Sequence, residues 1–153
     1  MAIADPRTKG QRLPRSARRA QLLAAAQAAF VESGYHAAAM DDIAERAGVS
    51  KPVLYQHFPG KLELYLALLD ERAGELEAAV RAALATTGTN KERVFATVAA
   101  YFEFVAREGQ AFRILFDSAL INEPNVAHRI QGAFTRCGEP FAEPLPPDPR
   151  LPR

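Results

Sequence analysis

The chain has 153 residues, of which 48% are hydrophobic and 24% charged, enough for one substantial core or for a small domain with part of a second. Its net charge of +1 is unevenly divided, since residues 1–61 hold nine Lys/Arg and five Asp/Glu whereas residues 62–153 hold ten and thirteen, and a basic first part favours a polyanionic partner. The single cysteine, Cys137, excludes an internal disulfide, and no apolar run is long enough to span a membrane, so we expect a cytoplasmic protein.

Residues 1–15 are polar, basic and interrupted by Pro6, Gly10 and Pro14, so we predict a disordered basic arm. Such an arm either follows DNA phosphates or a minor groove, as the arms of DNA-binding domains do, or serves only to keep the chain in solution. The sequence leaves both interpretations open.

A first helix is predicted over residues 16–33, ended by Gly34. Arg18 and Arg19 make its start basic. Apolar residues recur along it at helical spacing and predict a buried stripe, formed by Leu22, Leu23, Ala26, Ala29 and Phe30. Alanine-rich runs of this kind, with almost no alternation of apolar and polar residues, predict an all-α fold.

Residues 42–58 predict two short helices joined by a tight turn. Gly48 suits the left-handed backbone that ends a helix, and Ser50 is a good N-cap for the next one. Pro52 falls in the first turn of that second helix, where its missing N–H costs little. We therefore predict a helix-turn-helix at the second and third positions of a three-helix domain.

The second helix of this motif has distinct inner and outer faces. Leu54 and Phe58 are four residues apart and share the inner face, while Pro52 and Gln56 lie opposite Leu54. The outer face thus carries short or polar groups. A helix that enters a DNA groove requires such a face.

After the motif the sequence predicts further helices and then a change of character. The predicted helices cover residues 61–86, 91–108, 110–120 and 124–137, with Asn90 as the cap of the second and Gly109 as its end. Residues 138–153 are rich in proline, and we predict a disordered tail there. The predicted domains are the arm 1–15, a DNA-binding domain 16–61, an incomplete helical regulatory domain 62–137 and the tail 138–153.

A set of residues between positions 22 and 61 has the order and spacing of a known domain. They are Leu22 to Ala26, Phe30, Gly34, Tyr35, Ile43, Ala44, Ala47 to Ser50, Leu54, Tyr55, His57, Phe58 and Lys61. In these residues the chain resembles the TetR family of transcriptional regulators over about residues 16–70. The resemblance implies a helix-turn-helix domain followed by a partial helical ligand-binding and dimerisation domain.

The resemblance also assigns roles to individual positions. Lys51, Pro52 and Val53 fall where the family contacts bases, and Tyr55, Gln56 and His57 where it contacts the DNA backbone. Lys61 matches a phosphate-binding lysine. With Ser50 at the start of the helix, the candidate DNA-binding residues are Ser50, Lys51, Pro52, Val53, Tyr55, Gln56, His57 and Lys61.

Two departures from the family affect this domain. Ala38 and Ala39 stand where many members place a Ser or Thr that caps the first helix of the motif, a loss of about 1 kcal/mol. Asp41 lies on the DNA side where some members carry a basic residue, and its charge repels phosphate. We expect weaker DNA affinity than in a member without these changes.

The function implied by the resemblance is a sequence-specific DNA-binding regulator, a repressor released by a small-molecule inducer. Tyr101, Phe104, Phe112 and Phe116 are candidates for the inducer pocket, although core packing explains any single one of them better. The family forms homodimers through further C-terminal helices. Because the predicted helices stop near residue 137, the competing hypothesis is a truncated member that folds but neither dimerises nor represses. Neither an enzyme nor a cofactor or metal site is predicted, since no catalytic or metal-ligand spacing occurs.

Overall fold

The computed structural model describes residues 12–86, 88–115 and 122–142, and these residues form an all-α fold with an N-terminal helix-turn-helix. The helices are α1 Arg15–Ala37, α2 Met40–Arg46, α3 Lys51–His57, α4 Lys61–Leu84, α5 Asn90–Leu115 and α6 Pro124–Ala142. Together α1, α2 and α3 form the unit called the head below. None of the described helices is long and apolar enough to cross a membrane.

The predicted stripe of the first helix is buried, with Leu22 and Ala26 fully buried, and α1 packs against α2, α4 and α5. Its helical geometry breaks at Gly34, whose φ of 77° is one that glycine adopts readily. A last turn then runs to Ala37, and the Ala38 N–H closes it by donating to the Gly34 carbonyl at 3.1 Å. The helix predicted to end at Gly34 therefore bends there and ends three residues later.

The turn between α2 and α3 is closed by main-chain hydrogen bonds. The N–H of Gly48 donates to the Glu45 carbonyl and that of Val49 to the Ala44 carbonyl, both at 3.0 Å. With φ of 66° at Gly48, these bonds make the helix end that the sequence predicted. Ile43 and Leu54 meet behind the turn in the core, where both are fully buried.

Two helix caps differ from the prediction. Ser50 occupies the N-cap position of α3, but its side chain makes no capping hydrogen bond; its carbonyl accepts from Val53 and Leu54 instead. The cap of α5 is Thr89 rather than Asn90. The Thr89 hydroxyl accepts from the Glu92 N–H at 3.3 Å, and the Glu92 carboxylate accepts from the Thr89 N–H at 2.8 Å, a reciprocal capping box.

The last two predicted boundaries also change. Helix α5 continues through Gly109 with a kink at Glu108, where φ is −108° and ψ is 19°. Helix α6 extends to Ala142, so the prediction that residues 138–142 belong to a disordered tail is wrong. Pro140 removes only one backbone hydrogen bond and is itself buried, and an ion pair of 3.7 Å joins Glu139 to Arg81 of α4. Residues 143–153, like 1–11 of the predicted arm, lie outside the described residues.

The long helix α4 joins the head to the remaining helices, because it packs against α1, α5 and α6. An aromatic cluster marks its contact with α1. The ring of Tyr65 lies 5.4 Å from Phe30 and 5.2 Å from Tyr35, both edge-on, and the latter two rings are 5.8 Å apart. The position of the head therefore depends on the first two turns of α4.

We predict that Ala39→Ser stabilises the protein. Ala39 is the N-cap of α2 with φ of −105° and ψ of 144°, an extended conformation that suits a capping serine, and its side chain makes no capping bond. A serine there should raise the free energy of unfolding in urea by about 0.5–2 kcal/mol. Ala99→Ser, at an exposed site within α5, is the control and should lower it by a few tenths of a kcal/mol. Equal effects of the two serines would contradict the prediction.

Candidate nucleic-acid interface

Helix α3 has one buried side and one broad exposed side. Leu54 within it and Phe58 after it are buried in the core and hold it against the head. Tyr55 is 47% exposed. The predicted DNA-binding residues of α3 fall into an exposed group, Lys51, Pro52, Tyr55 and Gln56, and a half-buried pair, Val53 and His57, while Ser50 is exposed just before the helix.

An ion pair joins the starts of α2 and α3. The Lys51 ammonium lies 2.7 Å from a carboxylate oxygen of Asp41. Their hydrogen bond raises the pKa of Lys51. From the sequence, Asp41 was a first-turn acid that suits the helix dipole and repels phosphate. Nothing in the spacing of Asp41 and Lys51 shows that they touch.

Lys61 has partners within the protein that the sequence did not indicate. Its ammonium donates to the carbonyls of His36 at 3.2 Å and Ala38 at 3.0 Å, and it lies 4.7 Å from the centre of the Tyr35 ring. The lysine predicted to bind phosphate thus ties the first turn of α4 to the link between α1 and α2.

A cluster of arginines of α1 lies beside α3. The sequence had indicated only that Arg18 and Arg19 make the start of α1 basic, and neither Arg15 nor the proximity to His57 was predicted. Burial, followed by the charges of Arg15, Arg19 and Arg18, lowers the pKa of His57, so these side chains act on the C-terminal end of α3. The Arg19 guanidinium also lies 5.0 Å from the centre of the Phe58 ring. The available signal was their spacing of three and four residues, which places all three on one face of α1.

A partly buried hydrogen bond joins α1 to the turn of the motif. The Gln21 amide donates to the Ala47 carbonyl at 3.0 Å and accepts from Arg18 at 2.9 Å. This bond links the arginine face of α1 to the turn that leads into α3. Through Gln21, Arg18 is therefore connected to the turn that precedes α3.

Two of the four predicted inducer-pocket residues, Tyr101 and Phe104, have described side chains, and both belong to α5. Tyr101 is 42% exposed on α5, whereas Phe104, three residues later, is 3% exposed. The side chain of Phe112 and all of Phe116 lie outside the described residues. An open cavity of about 460 Å³ lies between α1, α4 and α5, lined by Ala24, Gln27, Ala28, Val31, Glu32, Arg72 and Glu108.

Polar side chains from three helices form hydrogen bonds with one another across this cavity. Arg72 of α4 donates to the Gln27 side chain of α1 at 2.7 Å and to Glu75 at 2.7 Å. The Gln27 amide in turn lies 3.4 Å from the carboxylate of Glu108, the residue at the kink of α5. The cavity therefore belongs to the junction of the head with α4 and α5.

The arginine cluster predicts the titration of His57. Because burial and neighbouring positive charge both disfavour the imidazolium, its NMR titration midpoint should lie below the ordinary histidine value. Replacing Arg15 and Arg18 together by glutamine should raise the midpoint. Arg136→Gln on α6 is the control and should leave it unchanged. A His57 midpoint above the ordinary value in the unaltered protein would contradict this prediction.

Comparison with known proteins also identifies the helix-turn-helix domain as that of a transcriptional regulator. Residues 22–68 match the family described as bacterial regulatory proteins, tetR family. The chain is 52% identical over 129 residues to the HTH-type transcriptional activator FasR of Mycolicibacterium smegmatis, an alignment that covers 84% of this chain and 59% of that protein. It is 27% identical over 86 residues to the fatty acid metabolism regulator protein of Bacillus subtilis, covering 56% of this chain and 44% of that protein.

Solved structures agree with the sequence relatives. A TetR-like transcriptional regulator from Rhodococcus sp. RHA1 superposes with a TM-score of 0.70 at 29% identity, over 82% of this chain and 67% of that one. As the alignment with FasR shows, the chain spans about three fifths of the length of that relative. These relatives are transcriptional regulators rather than enzymes. The chain belongs to the TetR family.

Proposed function

We propose that this chain is a sequence-specific DNA-binding transcriptional regulator that inserts α3 into the major groove. The observation that carries the proposal is the division of α3 into a side anchored by Leu54 and Phe58 and an exposed side of polar and short residues. The similarity to FasR over 129 residues supports it. A helix presented in this way can contact base edges with its first turns.

Base contacts in this arrangement come from the first turn of α3. Lys51 can donate to the guanine acceptors N7 and O6, and the methyl groups of Val53 can contact a thymine methyl. Ser50 and Pro52 are exposed beside them and shape the surface that meets the groove. With so few base-reading groups, direct readout contributes a limited share of the specificity.

Backbone contacts come from the other end of α3 and from α1. Tyr55, Gln56 and His57 supply hydrogen-bonding groups for phosphate, and the arginine cluster of α1 supplies charge next to His57. Lys61 donates two of its three N–H groups within the protein, which leaves one for a phosphate. These contacts position the protein on the duplex without reading its sequence.

The direction of regulation and the ligand are further parts of the proposal. The sequence analysis predicted a repressor, whereas the name of FasR describes an activator, and that relative favours activation here. The name of the Bacillus subtilis relative refers to fatty acid metabolism, which makes acyl chains the first ligands to test. A reporter gene placed behind the selected site, with and without added fatty acid, measures both the sign of regulation and the release.

We predict that Lys51→Ala and Tyr55→Phe weaken DNA binding. The test duplex is one selected by the unaltered protein from a randomised library, and the readout is fluorescence anisotropy. Loss of the Lys51 contact should weaken binding roughly five- to tenfold, and loss of the Tyr55 hydroxyl about threefold or more. Lys91→Ala, an exposed lysine of α5, is the matched control. If both variants bind as Lys91→Ala does, α3 does not lie in the groove as proposed.

The oligomeric state distinguishes two hypotheses. One is a regulator that binds two-fold operators as a dimer, and the other, the degenerate alternative, is a member that folds but neither dimerises nor represses. A two-fold operator needs two copies of the head, because one copy contacts one half-site. The resemblance implies a homodimer and the degenerate alternative a chain that does not dimerise, and sedimentation at micromolar concentration distinguishes the two. A tight dimer would exclude the degenerate alternative, and the exposed apolar side chains of α5, such as Phe95 and Phe102, would then be the first surface to examine.

A further inference from the structure

Asp41 forms an ion pair with Lys51, one of the residues proposed to contact bases. Among the described acids, it is the only one paired with such a residue. It stands in the first turn of α2, and its carboxylate is 2.7 Å from the ammonium of Lys51 in the first turn of α3. Both side chains are well exposed, Lys51 by 56% and Asp41 by 65%. The pair therefore lies on the surface of the head, at the end of α3 that is proposed to enter the groove.

The position of Lys51 explains why such a partner matters. The start of a helix carries partial positive charge, which disfavours a cation there, and a nearby carboxylate offsets it. A lysine side chain is flexible and its ammonium acts as a point charge, so without a partner it can reach any phosphate nearby. A partner at 2.7 Å restricts that choice, because the ammonium must leave Asp41 to move far from it.

We infer that Asp41 is a specificity-determining residue, which holds the Lys51 ammonium at the start of α3 so that it donates to base edges rather than to phosphates. The inference rests on the proposed placement of α3 in the major groove. An ammonium has three N–H groups, so Lys51 can keep its bond to Asp41 while donating to a guanine. A phosphate contact that requires Lys51 to turn away breaks the pair, and DNA without a suitable base then loses affinity.

The consequence is a difference between two classes of DNA. Binding to DNA of mixed sequence relies on phosphate contacts, and a tethered lysine adds little to them. Binding to the preferred site uses the same lysine in its tethered position. Asp41 therefore lowers affinity for mixed sequence more than affinity for the preferred site, which is how a repulsive or competing element raises specificity.

The experiment compares Asp41→Asn with Asp42→Asn on two probes, a duplex of mixed sequence and the duplex selected by the unaltered protein. Asp42 is the neighbouring exposed acid of the same helical turn, so its replacement changes the net charge equally. Affinity is measured by anisotropy over a series of potassium chloride concentrations, and circular dichroism confirms that each variant is folded.

Asp41→Asn should tighten binding to the mixed-sequence duplex about three- to fivefold and steepen its salt dependence by about one ion. On the selected duplex the affinity should change about twofold or less. Asp42→Asn should change both probes by a similar, smaller factor. Asp41→Glu, which keeps a carboxylate for Lys51, should retain most of the discrimination. In a Lys51→Ala background, Asp41→Asn should lose its selective effect.

Several outcomes would overturn the inference. Equal tightening of both probes by Asp41→Asn, or an effect equal to that of Asp42→Asn, would show simple repulsion of phosphate. Persistence of the selective effect in the Lys51→Ala background would show that Asp41 does not act through Lys51. If Lys51→Ala alone leaves binding to both probes unchanged, the proposed function fails at this residue. If it weakens binding and Asp41→Asn does not discriminate, only the inference fails.

Discussion

The contact between Tyr65 and the two aromatic rings of α1 holds the head on the long helix that runs through the rest of the chain. Tyr65 is 1% exposed and touches Phe30 and Tyr35 edge-on, one turn beyond the point where Lys61 binds the carbonyls that end α1. Aromatic packing and a charged hydrogen bond thus act on the same two turns of α4. Because α4 is continuous, the helix that holds the head is also the one that packs against α5 and α6.

Much of the fold was predictable because its signals are local. The buried stripe of α1, the left-handed Gly48 and the inward pair Leu54 and Phe58 each follow from a few neighbouring residues, and the structure has all of them. The prediction failed where a distant contact decides the outcome. Residues 138–142 remain helical despite Pro140, since that part of α6 packs on α4 and forms an ion pair with it, and neither contact is visible in a proline-rich sequence.

In the candidate site, too, local features could be predicted from the sequence and contacts between distant residues could not. The positions on α3 could be named from motif spacing, but three features of the site depend on residues far apart in sequence. They are the Asp41–Lys51 pair, the binding of Lys61 to the α1–α2 link, and the effect of the α1 arginines on His57. Each depends on how two helices cross, which the head's tertiary packing determines. The sequence named the candidate residues, and the structure shows which groups of the protein they contact.

The shortness of α3 has a consequence for the evolution of DNA-binding specificity in such a protein. The helix has seven residues, far too few to be stable alone, so it owes its shape to Leu54 and Phe58 and to the turn before it. The side chains that would meet DNA contribute little to that shape. Substitutions at positions 51, 52, 55 and 56 can therefore accumulate with small effects on folding, and a lineage can acquire a new operator while keeping the same scaffold.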